Sequence, residues 1–393
     1  METLPLSRSR RARWAVSAVF FVNGALLGSW APHIPLVQER LGLGPGLLGA
    51  ALLTIAVGAL VAMPVAGALI GRTGSALPTR VATLVMCAAM PLPVLAPDLA
   101  LLVAAFLLVG AANGTMDVTM NAHAVVVERQ LQRPVMSSFH GMFSLGGLVG
   151  AGAGAVLLDW IPPAAHILLA AGLLGALALL ALPHLLPGRL DVGETGASFA
   201  LPDRLTIGLG ALAFLVMMSE GAVLDWSAAY LRDQLGASPG MAATGFAAFS
   251  ATMAAARFGG DELRRRLGSV RLVRGSALIA AAGLGLGLLV GSPLAGVLGF
   301  ACAGIGLANA VPVLFGAAGR LPGAVPGAAI AAVATTGYAG FLAGPPLIGF
   351  VAEISSLRLG LSLLVLACAI VALFARGAAR ADAPETAAAP RLA

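Results

Sequence analysis

The chain has 393 residues, 59% of them hydrophobic and only 10% charged, with a mean hydropathy of +0.96 and a net charge of +6. A water-soluble domain normally carries about 25% charged residues, so a soluble enzyme or a nucleic-acid-binding domain is excluded. The 51 Gly and 24 Pro would damage soluble helices; membrane helices tolerate both and use small residues for close packing.

Apolar windows bounded by Pro, Gly and charge predict twelve spans. They run over about 14–34, 45–70, 79–97, 99–127, 136–160, 163–184, 205–231, 239–260, 271–291, 293–318, 325–352 and 358–377, each near the ~20 residues that cross ~30 Å of hydrocarbon. The first follows Arg8, Arg10, Arg11 and Arg13, as a signal peptide would. It continues through Asn23 to Pro32-His33-Ile34-Pro35 without a small-residue cleavage site, and is read as a retained helix. The polar stretch 185–204 is the expected linker between units 1–184 and 205–378. The Ala- and Pro-rich 379–393 is expected to be a disordered tail.

Arg orients these spans. Of 23 Arg, 20 fall on the face holding the termini and the even-to-odd loops, and only Arg40, Arg232 and Arg358 fall on the other. Arg-rich loops are cytoplasmic, so the chain is expected in a bacterial inner membrane with both termini cytoplasmic. Cys87, Cys302 and Cys368 are scattered singly, with no spacing for a disulfide framework or a metal.

The halves repeat at an offset near 196 residues. Asn23-Gly24-Ala25 with Trp30 answers Glu220-Gly221-Ala222 with Trp226, and Pro45-Gly46 answers Pro239-Gly240. Gly110, Ala112 and Asn113 answer Gly306, Ala308 and Asn309. The expected fold is an all-α membrane protein, two six-helix bundles related by a pseudo-twofold axis along the membrane normal. Their interface is the natural substrate site.

This pattern resembles the major facilitator superfamily from about 14 to 377. Five stretches resemble one of its bacterial inner-membrane branches, distantly related to sugar–proton symporters. They are Gly28-Ser-Trp-Ala-Pro-His-Ile-Pro35, Met116-Asp-Val-Thr-Met-Asn121, Ser138-Phe-His-Gly141, Glu220-Gly221 with Asp225-Trp226, and Ala334-Thr-Thr-Gly-Tyr338 with Gly344-Pro-Pro346. The resemblance implies alternating access by rocking of the bundles and supplies no substrate. The family's loop between helices two and three reads G-x-x-x-D-R-x-G. Here Gly67, Arg72 and Gly74 match while Gly71 replaces the Asp, and the repeat loop carries Arg265 there before Arg266. Asp261, one turn earlier, is a substitute for the missing latch acid.

An ionisable side chain at mid-bilayer costs about 2.5–3.5 kcal/mol on insertion scales, and is a functional candidate by default. Asp117 lies ~18 Å along its helix from Arg129 at ~1.5 Å per residue, with Asn113 and Asn121 one turn to either side on the same face. The bland alternative is interhelical hydrogen-bond glue. Glu220 is central in the seventh span without a basic residue within several turns on its own helix, so it is either protonated or paired across helices. With His140 in the fifth span, Asp117 and Glu220 form the proton-coupling candidates.

Substrate-binding candidates are Asn23, Asn113, Asn121, Asn309, Tyr338 and Trp30. Gating candidates are Asp225, Trp226, Arg72, Asp261 and Arg266. Trp30 and Trp226 sit near span ends, where an aromatic-belt or a packing role is expected, and His33 is expected at the interface. No membrane-embedded Arg is expected beside the acids, which disfavours an anionic solute and leaves a neutral hydroxylated molecule or an organic cation. No GxxxxGK[ST] phosphate loop, metal-ligand spacing or nucleophile–base pair is present. An enzyme and a cofactor are therefore not expected. The expected partners are a small solute, a proton and the bilayer, with the chain acting as a monomer and binding no nucleic acid. A proton-coupled secondary transporter is the leading expectation. Efflux antiport and a non-transporting membrane sensor that keeps the fold are the alternatives.

Overall fold

The computed structural model describes residues 5–131, 135–187, 204–318, 320–321 and 326–382. Twelve helical units follow the predicted order. They are α1 (Leu6–Trp30), α2 (Pro45–Thr73), α3 (Ala76–Ala89), α4 (Leu99–Leu131), α5 (Met136–Leu157), α6 (Pro163–Ala181), α7 (Arg204–Ala229), α8 (Pro239–Leu267), α9 (Ser269–Val290), α10 (Pro293–Leu307 continued by Ala310–Ala318), α11 (Pro326–Ile354) and α12 (Leu357–Leu373). Among the described residues ten spans are long and apolar enough to cross a membrane, that of α3 with its continuation to Leu95; α12 is shorter, and α8 carries a charged second half.

Chain chemistry sets the ends. Pro opens α2, α6, α8 and α10 in the first turn, where its missing N–H removes no helical hydrogen bond. Gly74 ends α2 at φ 72° and Gly268 ends α8 at φ 76°. They are repeat partners, both in the region that only glycine enters cheaply. Several expected spans are too short. After Trp30 the chain continues through a 3₁₀ turn, Ala31–His33, into Ile34–Leu41, and α7 continues into Tyr230–Gln234.

Packing repeats as the sequence does. In one bundle α1 lies on α5 and α2 on α4; in the other α7 lies on α11 and α8 on α10. The bundles meet where α5 crosses α8 and where α11 crosses α2. Small residues set the separation. A Cβ on Gly24 or Gly28 would come within 1.9 and 2.3 Å of carbonyl oxygens of Phe143 and Gly147, and one on Gly146 or Gly150 within 2.2 Å of those of Phe21 and Ala25. The α1–α5 seam is thus backbone on backbone, the arrangement that gives membrane helices their dispersion contacts in place of a hydrophobic drive.

The near face of the molecule is the one where α1 begins and α12 ends; the far face is opposite. Most of the polar linker, 188–203, lies outside the described residues, as do 383–393. Residues 379–382, expected to belong to a disordered tail, instead complete a helical turn, Ala375–Asp382, held on α9: Asp382 accepts hydrogen bonds from the backbone N–H and the hydroxyl of Ser269, both at 2.6 Å.

Candidate functional site

The polar residues of both bundles converge at mid-height. On α4, Asn121 donates from Nδ2 to the Asp117 carbonyl oxygen at 2.9 Å and to Asp117 Oδ1 at 3.1 Å. The i, i+4 spacing makes this bond possible within one helix. The other carboxylate oxygen, Oδ2, accepts from the Tyr338 hydroxyl of α11 at 2.7 Å. That bond joins the two bundles across 221 residues of sequence.

A second junction lies beside it. Arg257 of α8 stands 3.6 Å from Glu220 of α7, with both side chains largely buried. The same guanidinium donates from Nη1 to the Ser144 hydroxyl of α5 at 3.0 Å and from Nε to the Ala308 carbonyl at the break in α10 at 3.3 Å. From α8, Arg257 therefore touches three other helices and joins both bundles. Glu220 lies within electrostatic reach of Tyr338, and Arg257 within reach of His140. The two junctions form one network.

Arg257 overturns the expectation that no Arg is embedded beside the acids. The reason is the length of α8. The predicted span stopped at 260 and left Arg257 at its end, but the helix runs to Leu267. Arg257 is thus ~15 Å inside it at ~1.5 Å per residue. The network nonetheless holds two carboxyl groups, Asp117 and Glu220, against one guanidinium, a balance that still disfavours an anion.

The remaining candidates divide by surroundings. Asn23 is buried, with Nδ2 3.9 Å from Met120 Sδ. The buried oxygens Asn23 Oδ1, Asn113 Oδ1 and Glu220 Oε1 each lack a hydrogen-bond donor. His140 is exposed, four residues into α5, and its ring meets Phe20 edge-on at 5.2 Å. Thr336, its repeat partner on α11, is exposed too. The cleft is thus accessible on its near-face side. Asn309 is turned into helix packing: its Nδ2 donates to the Ala256 carbonyl at 3.1 Å, and a Cβ on Gly260 would lie 1.9 Å from its Oδ1.

Trp30 and Trp226 form no aromatic belt. They are 3% and 0% exposed, and Trp30 packs edge-on against Phe106 at 5.6 Å. His33 is not interfacial either; it is buried, with Nε2 2.9 Å from His166 Nδ1. The packing of both Trp and the correction for His33 follow from the helical continuations past Trp30 and Ala229, which bring protein where lipid headgroups would lie. Asp225 is half-buried one residue before Trp226. Arg72 is exposed at the end of α2, and Arg266 pairs along its own helix with Glu262. The Asp261 side chain lies outside the described residues.

Twelve membrane helices in two repeated bundles, meeting at a polar mid-membrane cleft, define a membrane transporter. The chain belongs to the Major Facilitator Superfamily, whose family model matches residues 16–325. It is 38% identical over 363 residues to an uncharacterized MFS-type transporter of Yersinia pestis, covering 92% of this chain and 94% of that protein. Its fold is similar to the nucleoside transporter NupG, with a TM-score of 0.75 at 11% identity over 93% of this chain and 99% of that one. It is also similar to the E. coli fucose:proton symporter FucP, with a TM-score of 0.62 at 15% identity over 93% and 97%. The superfamily consists of transporters and not enzymes.

Proposed function

We propose that this chain is a proton-coupled transporter of a small neutral, hydroxylated solute, working by alternating access across the bacterial inner membrane. The Arg-rich near face is then cytoplasmic and the far face periplasmic. One chain encloses its own cleft and works as a monomer.

The observation that carries this reading is the bond between Asp117 and Tyr338. A carboxyl group on one bundle is held by a hydroxyl on the other, at mid-membrane. Protonating Asp117 removes the charge that makes such a bond strong, so proton occupancy and bundle position become linked. Arg257 repeats the logic. Its ion pair with Glu220 keeps the guanidinium aimed at Ser144 of the opposite bundle, and a neutral Glu220 would release it.

The solute class rests on the unsatisfied acceptors. Buried oxygens without a donor are costly, and Asn23, Asn113 and Glu220 supply three of them on α1, α4 and α7. A molecule rich in hydroxyl or N–H donors satisfies them. An anion would meet two carboxyl groups and a guanidinium already engaged.

A thermal-shift screen against sugars, nucleosides, amino acids and organic cations identifies the solute, since a ligand bound to the folded state raises the melting temperature with its occupancy. Stabilisation by an anion, with no response to any hydroxylated neutral compound, contradicts the proposed class.

A further inference from the structure

The far face of the molecule is closed by a pair of contacts that obey the internal repeat. Helix α2 opens with Gly44-Pro45-Gly46 and helix α8 with Ser238-Pro239-Gly240. In each, the first turn has backbone N–H groups without helical partners and the positive end of the helix dipole. Glu353, at the end of α11, accepts from the Gly46 N–H at 2.8 Å through Oε2. Asp159, just past α5, accepts from the Gly240 N–H at 2.8 Å through Oδ1, and from the Ser238 hydroxyl at 3.1 Å through Oδ2. Each acid belongs to one bundle and each helix start to the other.

The two acids are themselves repeat partners: Asp159 and Glu353 are 194 residues apart, as are Gly46 and Gly240. The surrounding backbones are already in contact. A Cβ on Gly240 would lie 2.6 Å from the Ala155 carbonyl, and one on Gly349 would lie 2.6 Å from the Pro45 carbonyl. Helix α2 has the weaker cap of its own, because its N-cap Gly44 has no side chain; Glu353 supplies the missing acceptor from across the interface.

We propose that Asp159 and Glu353 are a twofold-symmetric latch on the far face. Each carboxylate caps the first turn of the opposite bundle's helix, holds that face shut in this conformation, and lets go when the cleft opens there. The Arg232–Glu39 ion pair crosses the same face, but Glu39 is exposed and such pairs contribute little. The latch matches the loss of the Asp in the family loop between α2 and α3. The near face lacks that acid in both halves, while the far face has one in each.

The inference rests on alternating access and not on proton coupling, and its test reads bundle geometry alone. Spin labels at Pro97→Cys and Gln234→Cys, both exposed far-face positions on different bundles, report the separation of the bundles by pulsed EPR. The three native cysteines are first replaced. Losing a helix cap weakens the closed state by roughly 3- to 30-fold. Asp159→Ala and Glu353→Ala should each raise the ratio of open to closed populations by about that factor, and the double variant by roughly the product. Asp98→Ala is the control. Asp98 also sits on the far face and caps a helix, accepting from the Leu101 N–H at 2.9 Å, but that helix is in its own bundle. It should leave the distances unchanged. A double variant with the wild-type distance distribution, or an equal shift from Asp98→Ala, overturns the latch. A protein that does not couple to protons would give the same distances, so failure of that reading is seen separately, in flux measurements.

Discussion

Replacing Tyr338 by Phe deletes one hydroxyl and leaves the ring packed beside Phe341 at 6.2 Å. The hydroxyl donates to Asp117 Oδ2 at 2.7 Å, across the bundle interface. A hydrogen bond to a charged group contributes about 1.5–3 kcal/mol, and each ~1.36 kcal/mol is a factor of ten. If the bond is made in this conformation and broken when the bundles rock apart, Tyr338→Phe moves the equilibrium away from this state by roughly 10- to 150-fold. Asn121→Ala provides the comparison, because Asn121 bonds the same carboxylate from the same helix. It should perturb Asp117 without moving the bundles. The pulsed-EPR pair at positions 97 and 234 reads both. Equal distance distributions in Tyr338→Phe and wild type, or an equal shift in Asn121→Ala, would refute the idea that this bond senses bundle position.

Further outcomes follow from other contacts. Arg257→Ala leaves Glu220 without its partner in a buried setting, which costs about 3–5 kcal/mol. The melting temperature should fall sharply, and Glu220→Gln added to Arg257→Ala should restore part of it. Gly110→Ala places a Cβ 1.8 Å from the Ile55 carbonyl, and Gly306→Ala one 2.5 Å from that of Ser276, whereas Gly67→Ala meets nothing within 4 Å. The first two should lose about 1–3 kcal/mol by overpacking and the third almost nothing, as read by thermal unfolding in detergent. Burial alone would raise the Asp382 carboxyl, but hydrogen bonds from Ser269 and the nearby Arg264 outweigh it and hold its pKa below the usual value. That depression makes its stabilising contribution full above the ordinary Asp pKa of ~3.9 and lost as pH falls through the lower folded value. Hydrogen exchange at the start of α9 should therefore quicken in Asp382→Asn at neutral pH, and the difference from wild type should vanish in strong acid.

The helix order and the repeat were legible because both are written in local terms. Long apolar windows mark each span, and Gly and Pro punctuate them at matching offsets, so that Gly74 and Gly268 adopt the same positive-φ conformation. The ends of the spans were harder to read, and most of the misplaced residues trace to them. α8 carries charge from Arg257 to Arg266 on a helix that does not stop, so an embedded Arg looked like a loop Arg. His33 looked interfacial, and the belt alternative stayed open for Trp30 and Trp226, because the helices beyond them were not foreseen. Asp117, Glu220 and Tyr338 each stood out as polar groups in apolar helices, yet their partners did not. Tyr338 and Asp117 are brought together by α4 and α11 belonging to different bundles, and no local pattern encodes that pairing. Asp159 and Glu353 lie at helix ends, where an acid is unremarkable. Their 194-residue offset was the available signal, and it gains meaning only once Gly46 and Gly240 are seen to face them.

Proton movement driven by the solute is the most direct test of the account. Purified protein in liposomes, loaded with a pH-sensitive dye and given the solute found by thermal shift, should acidify the lumen as solute enters. Asp117→Asn and Glu220→Gln should each abolish that signal while still binding solute. Solute accumulation accompanied by undiminished proton movement in both variants would contradict it.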